Sequence, residues 1–249
     1  MERIQIKLKK NKKIYFAGDF HLGIPNEESS KIREDKIINW LDSIEDHTQD
    51  LFLMGDLFDF WFEYKHVVPK YYFNFLSKIS RMIEKGINIH FFKGNHDMWT
   101  IDYFEKIGLK VYENHQSFLL DKRRILVGHG DGLGEGDRGY KIMKSIFKNN
   151  ISQYLFRKLH PDLGMKFGMS LSKSNKKKKD ETKRNNDRIY NFCKQYELEN
   201  KNYAYIFGHS HRESKIPISE SSTYYNTGEW INSSSYLVYG SGKFDLKTF

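Results

Sequence analysis

Ala204-Tyr205-Ile206-Phe207-Gly208-His209-Ser210-His211 is the stretch that decides the fold: four apolar residues read as a buried strand running straight into a turn with two histidines. Four other clusters repeat that build. GDFH (Gly18 to His21) follows Ile14-Tyr15-Phe16-Ala17, and GDLFD (Gly55 to Asp59) follows Leu51-Phe52-Leu53-Met54. GNHD (Gly94 to Asp97) follows Ile89-His90-Phe91-Phe92, and GHGD (Gly128 to Asp131) follows Ile125-Leu126-Val127. Each time an apolar strand ends, a glycine is expected to let the backbone turn sharply, and Asp, Asn or His comes next. Ligands of open α/β sheets gather beyond the carboxyl ends of the strands, so five such ends can aim their polar side chains into one pocket.

Strands alternate with helical patterns through the first half. Residues 31–44 place Ile32, Ile37, Ile38, Leu41 and Ile44 at helical spacing. Pro69 is expected to open a second helix with Tyr72, Phe73, Leu76, Ile79 and Ile83 on its buried side, and Gly86 to end it. A short helix is expected over about 99–107, then short strands at 109–112, 117–120 and 124–127. The rhythm breaks between about 137 and 202, where helical patterns fall around 140–147, 152–159 and 185–199. Residues 170–184 are polar, basic and aperiodic. They read either as a solvated loop or as a mobile helical insertion whose lysines, Lys176 to Lys179, meet phosphates or lipid head groups. Residues 222–226 and 235–239 read as closing strands. The expected fold class is α/β: a catalytic domain of residues 1–136 and 203–249, with a helical insertion or cap at 137–202.

The 249 residues suffice for one large domain with a deep core, or two small ones. A formal charge of +9 favours anionic partners, whether nucleic acid, nucleotides or an acidic membrane surface, although a lysine- and asparagine-rich composition gives the same charge without a binding role. The lone Cys193 excludes a disulfide framework within the chain, fits a reducing compartment and reads as core filler in an aromatic helical face. The start of the chain holds no continuous apolar segment of the kind a signal peptide needs, and no apolar run nears the ~18 residues that span a bilayer. A cytoplasmic protein is expected, touching membrane only at its surface.

Half of the ten histidines lie in the motifs: His21, His96, His129, His209 and His211, accompanied by Asp19, Asp56, Asp59, Asn95, Asp97 and Asp131. Imidazoles, carboxylates and one amide, without a thiolate, suit borderline to hard divalent ions such as Mn2+, Fe2+ or Zn2+. Two cations about 3.5–4 Å apart need a bridging anion, and Asp56, central in the order of the motifs, is the candidate. A water shared by such a pair loses a proton near neutral pH and becomes a nucleophile. Phosphorus is the natural electrophile, because paired cations neutralise charge on its equatorial oxygens. His96 is then suited to help the leaving oxygen, with Asp97 behind it holding the imidazole. One Asp-x-His pair arises easily by chance, and a single buried histidine usually serves the core. Five clusters in order, each after an apolar strand, are a different matter.

On the motifs D-x-H, GD-x-x-D, GNH[D/E], GH and GH-x-H, in that order over about residues 14–211, the chain resembles the calcineurin-like metallophosphoesterase superfamily. The resemblance implies a four-layer α/β/β/α sandwich and a site for two divalent metal ions. It implies that Asp19, His21, Asp56 and His211 hold one ion. Asp56, Asn95, His129 and His209 would hold the other, with His96 facing the scissile phosphate. Within the superfamily, GDLFDFWFEY, GNHDMW, GHGDGLGEGDRGY and the basic insertion before GHSH resemble the UDP-2,3-diacylglucosamine diphosphatases of lipid A biosynthesis. That resemblance implies hydrolysis of UDP-2,3-diacylglucosamine at the α-phosphorus, to UMP and 2,3-diacylglucosamine 1-phosphate, with Mn2+ and a metal-bridging hydroxide. It also implies substrate contacts from Asn95, His96, His209 and Asp137. The better-known branch carries Arg after the motif asparagine, where this chain has the generic His96. Ser172, Lys173 and Ser174 look similar in type to the family's contacts in the insertion, without a fixed register.

Phe60, Trp61, Phe62 and Tyr64 either pack the core or wall a slot for acyl chains or uracil. The insertion's apolar residues, from Ile142 and Met143 to Leu155 and Phe156, are interleaved with Lys144, Lys148, Arg157 and Lys158. They make either an amphipathic cap for the anionic cytoplasmic face of the inner membrane or a face packed on the main domain. Gly134 to Gly139 formally fits G-x-G-x-x-G but does not directly follow a strand within a βαβ unit, so no dinucleotide site is expected. Two other readings stand beside the first. One is a phosphoesterase for a cyclic nucleotide, a dinucleoside polyphosphate or a nucleic acid, although no recognisable nucleic-acid module exists. The other is a scaffold that has lost catalysis, which would be expected to lack ligands.

Overall fold

Alternation with a period of two sends each central strand's side chains to opposite faces, and that sorting builds the layers. The computed structural model describes residues 4–174 and 179–249. In β2 (Lys13–Ala17), Ile14 and Phe16 enter one core while Tyr15 and Ala17 enter another. In β3 (Thr48–Leu53), Phe52 joins the first and Leu51 and Leu53 the second; in β4 (Asn88–Phe92), Phe92 and then Ile89 with Phe91 divide in the same way. These three strands and β5 (Lys110–Tyr112) run parallel, and β11 (Ser235–Gly240) and β12 (Lys243–Thr248) extend the sheet antiparallel beyond β2. The second sheet has the order β1 (Ile4–Ile6), β6 (Gln116–Leu120), β7 (Arg123–Val127), β8 (Ala204–Phe207), β10 (Ser222–Asn226), β9 (Ser214–Ser219).

Phe16, Phe52, Phe92, Phe118, Val127 and Ile206 fill the space between the two sheets. Outside the first sheet lie α1 (Glu27–Ile44), α2 (Phe73–Glu84) and α3 (Tyr103–Lys106), which bury Trp40, Leu41, Phe75, Ile79 and Phe104 against it. Outside the second lies α7 (Lys179–Glu199), whose Ile189 and Cys193 pack on Leu126, Tyr205, Phe207 and Tyr224. Helix, sheet, sheet, helix: the four-layer α/β/β/α expectation holds, and Cys193 is a buried free thiol as expected. Between β7 and β8 the chain also makes α4 (Arg138–Lys148), α5 (Asn150–Arg157) and α6 (Pro161–Ser174).

Several details depart from the expected elements. α1 starts earlier, at Glu27, because the Asn26 side chain caps it by accepting from the Ser29 amide at 2.8 Å. Its buried stripe runs through Ser30, Arg33, Glu34, Ile37, Leu41 and Ile44, which leaves Ile32 66 % exposed on the far side. Phe73, expected inside, opens α2 and is exposed as well. The segments 170–174 and 179–184 are helical rather than a loop, while Lys176 to Lys178 lie outside the described residues. Strands β1, β9 and β12 went unread because each lies at a sheet edge, with polar residues on its exposed side.

Candidate metal centre

Five side chains reach the carboxyl ends of the strands from backbone that ordinary residues avoid. Asp19 (φ 52°), His21 (φ 45°), Asp56 (φ 50°), His209 (φ 63°) and His211 (φ 57°) are all left-handed. Such a residue costs on the order of 1–3 kcal/mol and persists where its surroundings hold it. The loops hold one another: the Asp19 amide donates to Gly55 O (2.9 Å), that of His21 to Asp56 O (3.0 Å), and that of Gly208 to His129 O (2.9 Å). Buried Arg33 clamps the first loop by donating to His21 O at 2.5 Å and Ile24 O at 2.6 Å. The expectation of a turn made by glycine holds at GDLFD, where Gly55 has φ 86°, and is corrected elsewhere: at GDFH and GHSH the residue after the first glycine turns, and at GNHD the glycine supplies room. A side chain at Gly94 would run into the Asp56 carboxylate and amide.

Seven distant residues come together here. Asp19, His21, Asp56 and His211 offer ligand atoms within 4.8 Å of one another, and so do Asp56, His129 and His209. Asp56 belongs to both groups. His21 Nε2 stands 3.0 Å from His211 Nε2, and His211 Nε2 stands 3.1 Å from Asp19 Oδ1. Asp56 Oδ2 faces His129 Nε2 at 3.4 Å and His21 Nε2 at 3.7 Å. Asn95 Oδ1 lies 3.3 Å from His129 Nε2, so the amide joins the second group.

The donor set fits divalent cations. Asp19 Oδ1 and Asp56 Oδ2 are fully buried and accept no hydrogen bond, an arrangement that is costly unless a cation satisfies them. Carboxylate and amide oxygens with imidazole nitrogens suit Mn2+, Fe2+ or Zn2+. In the ion-free protein the imidazoles take over part of that charge balance. Burial would raise the Asp19 carboxyl, but His21 and His211 hold it far below the ordinary range. Asp56 is likewise held low against its burial, by His129, His96 and His21. Burial would lower His21 and His129, but the surrounding carboxylates push them up to about 9 and about 10. Buried positive charge is what this pocket is built to hold.

His96 stands beside the two groups, its amide donating to Asp56 Oδ1 at 2.9 Å. The expectation that Asp97 orients it is corrected. Asp97 is buried beneath the loops and accepts from the Leu57 and Gly94 amides, both at 2.7 Å, so it fixes backbone. Burial and the nearby Asp56 charge push its carboxyl upward. The His96 ring is set instead by the Asp59 carbonyl, which accepts from Nδ1 at 2.7 Å. The Asp59 carboxylate accepts from Ser172 Oγ at 2.5 Å and faces His21 Nδ1 at 3.4 Å. Its role was legible in principle, since it closes the GD-x-x-D motif; Ser172 was marked only by resemblance, without a fixed register, and its bond to Asp59 was not legible.

A cavity of about 440 Å³ opens from Asn95, His96 and His209. One wall is apolar, with Met98, Trp99, Met143, Phe147 and Phe156; the other is polar, with Asp137, Glu181 and Asn185. Asp137 is left-handed (φ 53°), precedes α4 and pairs with Arg188 Nη1 at 3.0 Å. Of the aromatic run, Phe62 and Tyr64 are core, whereas Phe60 and the otherwise buried Trp61 line the cavity. Of the insertion's lysines, Lys144 turns inward to pair with Asp131, which also accepts from Tyr140 OH at 2.5 Å, whereas Lys148 pairs with the exposed Glu113 at 3.2 Å. The apolar residues between them do not all follow. Ile142, Ile146, Tyr154 and Leu155 are more than half exposed, whereas Phe156 is buried on Phe62.

Residues 12–213 match the calcineurin-like phosphoesterase family. A protein of Porphyromonas gingivalis named UDP-2,3-diacylglucosamine hydrolase is 31 % identical over 245 residues, 91 % of this chain and 94 % of its own length. Proteins of the same name from Histophilus somni and Aliivibrio fischeri are 24 % and 25 % identical, each covering 94 % of this chain and 99 % and 97 % of their own. The family match begins just ahead of the strand that delivers Asp19 and ends two residues past His211, so it takes in every loop that meets at the buried carboxylates; the chain is a hydrolase and belongs to the calcineurin-like phosphoesterase family.

Proposed function

We propose that the protein hydrolyses the pyrophosphate bond of UDP-2,3-diacylglucosamine, giving UMP and 2,3-diacylglucosamine 1-phosphate. Residues 1–136 and 203–249 form the catalytic domain in this reading, and residues 137–202 its helical cap. Two divalent cations, Mn2+ foremost, would be held by Asp19, His21, Asp56 and His211 on one side, and by Asp56, Asn95, His129 and His209 on the other. The carrying observation is a cavity that joins a cation-ready loop cluster to an apolar wall, as a substrate with a pyrophosphate and acyl chains requires. The relatives bearing that substrate's name support it.

When bound, the cations supply Lewis acidity and a water acidic enough to attack at neutral pH. The chain's own residues do the rest. Asp56 would serve both ions, and the loop hydrogen bonds keep the would-be ligands in register before substrate arrives. With its Nδ1 proton given to the Asp59 carbonyl, His96 turns Nε2 to the substrate. Burial lowers this imidazole's proton affinity, and an arriving pyrophosphate raises it again, so that Nε2 donates to the oxygen on which charge builds. Asn95, His209 and Asp137 complete the substrate contacts.

No helix among the described residues is long and apolar enough to cross a membrane. The exposed Ile142, Ile146, Ile151, Tyr154, Leu155 and Leu163 on the cap support peripheral docking on an anionic membrane surface, at the cytoplasmic face of the inner membrane. The test is incubation with Mn2+ and UDP-2,3-diacylglucosamine, following UMP. Turnover of bis-p-nitrophenyl phosphate with none of the lipid nucleotide favours another phosphodiester or pyrophosphate as substrate.

A further inference from the structure

The two ligands of GHSH sit in a turn whose backbone is left-handed at both histidines, so something must hold it. The support comes from the helical insertion. Asn186 of α7 is 2 % exposed, and its Oδ1 faces three hydroxyls: Tyr224 OH at 3.0 Å, Ser214 Oγ at 3.2 Å and Ser210 Oγ at 3.3 Å. Ser210 is the residue between His209 and His211, and its Oγ in turn accepts from the Arg212 amide at 3.3 Å. From Tyr224 the chain of bonds continues: Asn226 Nδ2 donates to Tyr224 OH at 3.1 Å and to Gly208 O at 2.6 Å. Both neighbours of His209, and both neighbours of His211, are thus fixed by one buried polar network that ends on Asn186. Asn186, Ser210, Ser214, Tyr224 and Asn226 are all buried, so water cannot stand in for a lost partner among them.

We propose that Asn186 is a positioning residue for the metal centre: its amide oxygen locks the GHSH turn to α7 and thereby sets one imidazole in each of the two ligand groups. The residue lies outside all five strand-end motifs, yet it acts on both ion sites at once because His209 belongs to one group and His211 to the other. It also makes α7 a mechanical part of the site rather than a cover over it. The chemistry asks only for an acceptor: Oδ1 does the work, so a carboxylate oxygen serves and a methyl group does not.

This inference rests on the two-ion reading, and the experiment separates the two. Mn2+ is titrated into ion-free wild-type protein, Asn186→Ala, Asn186→Asp and Ser210→Ala, and binding is followed by calorimetry, with thermal unfolding of each ion-free protein alongside. Asn186→Ala is expected to weaken Mn2+ binding about tenfold or more, the usual scale for a lost supporting contact. Ser210→Ala, which removes one of the three donors to Oδ1 together with the acceptor of the Arg212 amide, is expected to shift it in the same direction by less. Asn186→Asp, which keeps the acceptor, is expected to bind as wild type does. Mn2+ affinity unchanged in Asn186→Ala and Ser210→Ala, with only the unfolding temperature lowered, overturns the positioning role while leaving the two-ion reading intact. Wild-type protein that takes up no Mn2+ overturns both.

Discussion

Ser172 Oγ on α6 lies 2.5 Å from Asp59 Oδ2, while the other oxygen of that carboxylate faces His21 Nδ1 at 3.4 Å. One side chain therefore ties a helix of the insertion to an imidazole of the first ligand group. Orienting a metal-binding histidine through its second nitrogen is worth about 10–100-fold in affinity. Asp59→Asn, which weakens the hold on His21, is expected to reduce Mn2+ affinity by about that factor. Ser172→Ala removes the link to α6 and the contact of Oγ with His96 Nδ1 at 3.2 Å, but no ligand. It is expected to raise KM several-fold with two ions still bound, measured by steady-state kinetics and metal analysis on one preparation.

Asp56 contributes to both groups, and its Oδ1 also accepts the His96 amide at 2.9 Å. Asp56→Asn keeps the shape and that hydrogen bond but removes the charge. Turnover is expected to fall about a thousandfold or more, equivalent to roughly 4 kcal/mol of barrier, while the unfolding temperature of the ion-free protein stays within a few degrees. Retained turnover would refute the bridging role.

His96 is argued to act on substrate, so its removal should separate chemistry from metal binding. His96→Ala is expected to lower kcat about 10²–10⁴-fold with metal stoichiometry unchanged. Loss of one ion instead would make it a ligand, as its place beside His21 and Asp59 in a third small cluster allows.

The motifs were legible because each is an apolar strand followed at once by a polar turn, a local signal. Their convergence could be inferred from the rule that α/β sheets bind at strand ends. What escaped was whatever depends on distant packing. α6 has Gly164 and Gly168 in its path, which weaken helix propensity. There they let the helix press against the Tyr64 hydroxyl and the Phe60 ring. Asn186 and Ser172 sit in polar helical sequence whose partners lie 24 or more residues away, so no spacing marks them. The Asp97 expectation failed for a related reason. Sequence adjacency to His96 suggested contact, whereas the turn sends the carboxylate down to the Leu57 and Gly94 amides.

On the cap, Lys144 and Lys148 are paired with Asp131 and Glu113, while Ile142, Ile146, Tyr154 and Leu155 stay more than half exposed. Binding to vesicles of mixed zwitterionic and anionic lipid is expected to depend chiefly on apolar contact. Ile142→Ser with Leu155→Ser should weaken co-flotation clearly, and raising salt from 0.1 to 0.5 M, roughly halving the Debye length, should weaken it less. The reverse order would give the docking to charge.

His90 is buried between the sheets, stacked on Phe52 with ring centroids 4.3 Å apart, and lies 3.0 Å from both Asp50 Oδ1 and Tyr112 OH. A neutral ring satisfies both neighbours, with Nε2–H donating to the carboxylate and Nδ1 accepting from the phenol. Burial pushes the imidazole below its ordinary value, and the pull of Asp50 only partly offsets this. The sign follows from proton counts: below about pH 6.5 the unfolded chain takes up a proton that the folded chain refuses, so unfolding gains on acidification. Stability from this group is therefore present above that pH and is lost as pH falls toward the depressed folded value. His90→Gln retains a donor and an acceptor but does not titrate. In ion-free protein, the difference in unfolding free energy between wild type and His90→Gln is expected to shrink as pH falls from 7 to 5, since only wild type loses this contribution. Denaturant titrations at intervals of half a pH unit measure it, and a difference independent of pH would mean that the buried ring takes up its proton as readily as the unfolded chain does.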